Sequence, residues 1–129
     1  RLAINCHSCV NAPTQFAGIA ALEGPQDAVH EMVSAFDERR KVIVRELNQI
    51  EGFRCVDPGG AFYTFPNIEG TGLGAQELQN KLLEEAHVAT VAGTAFGEYG
   101  EGYIRFSYAN STENIVEAIG RIRECLGDG

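Results

Sequence analysis

The spacing of apolar and polar residues changes period several times along this chain, and each change marks a predicted element. Pro13 and Thr14 open a small-residue helical segment that runs to Leu22 and is ended by Gly24-Pro25. A longer helix follows over residues 27–49. In it Val29, Met32, Val33, Phe36, Ile43, Leu47 and Ile50 recur at helical spacing, with Glu31, Glu38, Arg39, Lys41 and Arg45 mostly off the stripe, which reads as core. Gly52 stops it. Residues 53–56 and 61–65 read as two strands joined by Asp57-Pro58-Gly59-Gly60, a hairpin turn in which proline presets φ and glycine permits positive φ. Residues 75–86 predict a helix with Leu78, Leu82, Leu83 and Ala86 inward, and residues 87–91 a strand. A further strand begins at Tyr103, and Asn110 starts the last helix with Glu113 three residues on, as in a capping box. Ile115, Ala118, Ile119, Ile122 and Leu126 line its inner face. At the beginning, Leu2-Ala3-Ile4 reads as a strand. The order of elements predicts an α+β fold of two layers, a small mixed β-sheet covered on one face by helices.

One residue breaks the apolar character of the 103–108 strand. Alternation puts Ile104, Phe106 and Tyr108 on one face and Tyr103, Arg105 and Ser107 on the other, so a guanidinium stands on the polar side beside a phenol and a hydroxyl. Its planar fork suits a carboxylate or phosphate held by two parallel hydrogen bonds.

Composition narrows the partners. At 129 residues the chain has the size of one domain with one core. Its net charge of -8 repels a phosphate backbone and an anionic membrane alike, which excludes nucleic acid and membranes as partners. No apolar run approaches the length of a membrane span. The chain begins with Arg1 rather than methionine and shows no signal-peptide pattern, so it reads as a piece of a longer protein.

Other motifs carry less. Cys6-His7-Ser8-Cys9 is the one metal-like spacing, but Cys55 and Cys125 stand alone and His30 and His87 are far apart, so no metal is expected. Four reduced thiols fit a cytoplasmic protein. Gly70-Thr71-Gly72-Leu73-Gly74 matches neither a dinucleotide fingerprint nor a P-loop and reads as a plain loop. Residues 93–102 form a second glycine-rich loop.

In succession, Gln15-x-Ala17, Arg39-Arg40, Gly60-Ala61-Phe62-Tyr63, Val88-Ala89-x-Val91-x-Gly93-x-x-Phe96 and Ile104-Arg105-Phe106-Ser107-Tyr108-Ala109 resemble the C-terminal portion of class I and II aminotransferases, nearest the aspartate aminotransferase group. The resemblance covers nearly the whole chain. It implies that residues 1–129 are the small domain of a pyridoxal-phosphate-dependent enzyme whose large, cofactor-binding domain is absent. It also implies that Arg105 binds the α-carboxylate of the substrate, with Phe62 and the 93–96 loop beside the active site. The family carries its cofactor on a lysine of the large domain, and Lys41 and Lys81 lie outside that motif, so neither catalytic nor cofactor-binding residues are expected here. The fragment alone should bind no pyridoxal phosphate and be inactive. The full-length protein should act on an amino acid, by this resemblance aspartate, and a 2-oxo acid, by the same resemblance 2-oxoglutarate. It should form a homodimer, with residues 6–11, Ser8 among them, near the partner subunit. The alternative from the residues alone is a stand-alone acidic module that binds small carboxylates or another protein.

Overall fold

The computed structural model describes residues 1, 3, 6 and 9–127. Ala3 is helical, and the other residues of the strand expected at 2–4 lie outside the described residues, as does Ser8. The chain divides into two compact units, Arg1–Val33 and Ser34–Gly129.

The first unit holds helix α1 (Ala12–Glu23). The Asn11 side chain caps it by accepting the Thr14 N–H at 2.9 Å, proline sits in the first turn, and the Gly24 N–H closes it on Ala20. None of its residues is buried. Val10, Phe16, Ile19 and Leu22 are all exposed, Leu22 at 84%.

Helix α2 (Asp27–Leu47) carries the stripe expected as core, but only its C-terminal half is core. Ile43, Leu47 and Ile50 are buried and Phe36 packs against them, whereas Val29, Met32 and Val33 are exposed. Apolar periodicity shows that a face suits burial and is silent about what covers it.

The second unit contains three short strands, β1 (Tyr63–Thr64), β2 (Val91–Ala92) and β3 (Ile104–Ser107), in the order β1-β3-β2. Both pairings are antiparallel, with Tyr63 opposite Ser107 and Val91 opposite Arg105, so the sheet is not mixed as expected. Helices α3 (Ala75–Glu84) and α4 (Thr112–Leu126) join the end of α2 on one side of it. Between them Ile43, Leu47, Leu78, Leu82, Ile104, Phe106, Tyr108, Ile115, Ile119 and Ile122 form the core. Leu83, expected inward, is exposed on α3. Ser111 caps α4 by accepting the Asn114 N–H, one residue beyond the expected start, and Gly127 ends it in the left-handed region.

The expected hairpin does not form as such. Both backbone groups of Cys55 are taken by the Asn48 side chain, which donates to its carbonyl at 2.9 Å and accepts its N–H at 2.8 Å. Only Arg54 forms a bridge, with Asn67, and β1 pairs instead with β3. The strand expected at 87–91 begins only at Val91, because His87 takes a φ of 56° and Val88 donates back to Leu82.

Candidate substrate-binding site

Because Ile104 and Phe106 turn into the core, Arg105 emerges on the sheet face that the core helices leave uncovered. Its guanidinium carbon lies 4.5 Å from the centre of the Tyr63 ring and 5.1 Å from that of Phe96. Tyr63 is delivered by the neighbouring strand β1 and Phe96 by the short 3₁₀ turn Gly93–Phe96. The aromatic surface continues outward: Phe65 meets Phe96 edge-on at 5.9 Å and stacks on Tyr103 at 5.3 Å.

The loop that carries Phe96 is closed by two glycines packed back to back. A Cβ on Gly93 would stand 2.0 Å from the Gly100 carbonyl oxygen, and one on Gly100 would stand 1.9 Å from that of Gly93. No side chain fits either position. The Gly93 N–H donates to Tyr103 at 2.8 Å, and Glu101 accepts the Ala75 N–H at 2.9 Å, tying the loop to β3 and to the start of α3.

Arg105 stands outside the ion pairs that take up several other arginines. Arg40 pairs with Asp37 and Asp57, Arg121 with Glu117 and Arg123 with Glu46. Among the described residues no carboxylate pairs with Arg105, and its Nε is buried without a hydrogen-bond partner. In a chain of net charge -8, an arginine without a carboxylate partner is a candidate for binding an anion from outside the chain. An aromatic ring takes none of a guanidinium's hydrogen bonds, so the two rings beside Arg105 leave its N–H groups to other acceptors, a carboxylate among them.

Phe62 stands one ring further away. It lies 4.4 Å from Tyr63 and 6.0 Å from Phe36, and its carbonyl accepts the Tyr108 N–H at 2.9 Å. Its neighbour Ala61 has a φ of 60°, held where the Tyr108 hydroxyl donates to the Ala61 carbonyl at 2.8 Å. Tyr63, which touches the guanidinium directly, was not singled out by sequence reasoning. No signal along the chain pairs it with Ser107, one alternation from Arg105; that register is set only by the sheet.

Both lysines are engaged on helices. Lys41 pairs with Asp37 and Glu38, and Lys81 with Glu85, and these hydrogen bonds raise both ammonium pKa values. A hollow of about 460 Å³ lies between α4 and residues 87–89. Its rim is satisfied internally, Arg121 by Glu117 and Asn114 by Asn110, so it offers no unmatched charge. Among the described residues no group of three or more His, Cys, Asp or Glu side chains could hold a metal ion. No described helix is long and apolar enough to cross a membrane.

The fold is an α+β unit with an unpaired arginine beside two rings on its open sheet face, and comparison with known proteins places it further. Residues 3–122 match the family described as aminotransferase class I and II, and the chain belongs to that family. It is 47% identical over 114 residues to an aspartate aminotransferase of Pyrococcus horikoshii, covering 87% of this chain and 29% of that protein. It is 42% identical over 114 residues to an aromatic-amino-acid aminotransferase of Thermococcus litoralis, covering 87% of this chain and 29% of that protein. The solved structure of an alanine aminotransferase from Pyrococcus furiosus superposes with a TM-score of 0.86 at 40% identity, covering 94% of this chain and 31% of that one. The chain thus spans about 30% of the length of the curated relatives it matches.

Proposed function

We propose that this chain is the substrate-clamping small domain of a pyridoxal-phosphate-dependent aminotransferase and that Arg105 binds the α-carboxylate of the substrate. The observation that carries this is the guanidinium itself, unpaired, with an unsatisfied buried Nε and its carbon over two aromatic rings. In the full-length enzyme the cofactor would supply the electron sink for breaking the Cα–H bond. The residues described here do not fit a site for it: Lys41 and Lys81 are ion-paired and kept protonated, so the cofactor's attachment falls to a part of the polypeptide outside this chain. What this chain contributes is orientation. A two-point grip on the carboxylate fixes the rotation of the substrate about its Cα, and the rings beside it exclude water and strengthen the charge pair.

The enzyme would transfer an amino group between aspartate and 2-oxoglutarate. The aspartate aminotransferase of P. horikoshii supports that choice by its similarity. Arg105 addresses the carboxylate shared by all amino acids, in line with aromatic and alanine enzymes being comparably similar.

The test is Arg105→Ala in the full-length enzyme. Loss of a partly desolvated charge pair costs on the order of 2 to 5 kcal/mol of transition-state stabilisation, so kcat/KM should fall by about 30-fold to several thousand-fold. Arg105→Lys keeps the charge but loses the fork and should be intermediate. Unchanged kcat/KM in a folded, cofactor-loaded Arg105→Ala enzyme would remove the assignment.

A further inference from the structure

Arg105 has four rotatable side-chain bonds, and a clamp acts well only if its fork is already aimed. No carboxylate or carbonyl among the described residues does the aiming. Two rings stand beside it instead, one on strand β1 and one on a glycine-clasped loop. Tyr63 is anchored by the sheet, whereas Phe96 is 57% exposed and is followed by Gly97 at a φ of 122°, a conformation that suits glycine alone.

Exposure makes Phe96 a poor core residue, since over half of it still faces water. Its described contacts are the Arg105 guanidinium and the edge-on ring of Phe65, which itself stacks on Tyr103. The loop's construction serves this placement. The Gly93–Gly100 contact admits no side chain at either position, so the tip is held to a narrow path that sets Phe96 beside the cation.

From this we infer that Phe96 is a positioning residue for substrate binding: with Tyr63 it holds the Arg105 guanidinium against two rings and leaves its N–H groups for the incoming carboxylate. This rests on Arg105 being the carboxylate clamp. A cation over an aromatic face is attracted by the ring quadrupole without competing for its N–H donors, so the rings orient the fork and leave its hydrogen bonds for the substrate. A carboxylate in the same place would orient it equally well and occupy it.

The experiment is a double-mutant cycle in the full-length, cofactor-loaded enzyme, with kcat and KM for the amino-acid substrate measured for wild type, Phe96→Leu, Arg105→Ala and the double variant. Phe96→Leu should raise KM by about two- to fivefold with kcat little changed, the scale of one partly exposed cation–ring contact. In the Arg105→Ala background the same change should have no further effect. Phe96→Tyr, which keeps the ring, should restore wild-type KM. An equal loss from Phe96→Leu in both backgrounds would overturn the inference and leave the carboxylate clamp standing. Failure of Phe96→Tyr to restore KM would overturn it too, since the ring face would not be what matters. Arg105→Ala without effect would instead overturn the underlying reading, and the inference with it.

Discussion

Replacing Tyr108 by phenylalanine removes a single oxygen from the segment that shapes the approach to Tyr63. Tyr108 is 1% exposed, and its ring meets Phe36 edge-on at 6.2 Å, contacts that phenylalanine retains. What is lost is the hydrogen bond to the Ala61 carbonyl at 2.8 Å. A buried acceptor left dry costs about 1–3 kcal/mol, but the net worth of an ordinary hydrogen bond is about 1 kcal/mol. Ala61 is exposed, so water replaces the hydroxyl and the smaller figure applies. Tyr108→Phe should therefore lower unfolding free energy by about 1 kcal/mol at pH 7, seen as a lower urea midpoint with unchanged slope. The pH dependence supplies a second reading. Burial holds the Tyr108 phenol above its ordinary value of 10.0. Because the folded value is the higher one, this contribution is complete below about pH 10 and is lost as pH rises through the folded value. The gap between the two proteins should narrow there. A midpoint unchanged at pH 7, or a gap that widens in alkali, would refute the reasoning.

Two further outcomes are expected. Gly93→Ala places a Cβ 2.0 Å from a backbone oxygen and should destabilise by about 1–3 kcal/mol or displace the Phe96 loop. Gly59→Ala, with nothing within 4 Å, should shift the thermal midpoint little, and equal shifts for the pair would disprove the clasp. In a thiol titration at pH 8, exposed Cys9 should react at once, whereas Cys55, its thiol pushed up to about 11 by burial, should react only on unfolding.

Much of this protein was legible along the chain. Helix spans, the proline entry of the first helix, the cap near Asn110, and the alternation that sends Ile104 and Phe106 inward and Arg105 outward all depend on residues within about four positions of one another. The motif succession was enough to identify the family, because order and spacing survive without any geometry. Tertiary structure decided what depends on distant partners. Asn48 captures the Cys55 backbone and dissolves the expected hairpin, so β1 joins β3 and brings Tyr63 to Arg105 from 42 positions earlier in the numbering. The Gly93–Gly100 contact sets Phe96 beside that same cation. The exposed Val29, Met32 and Val33 mark the same boundary, since a periodic stripe encodes a tendency to be buried while burial itself needs a surface supplied from elsewhere.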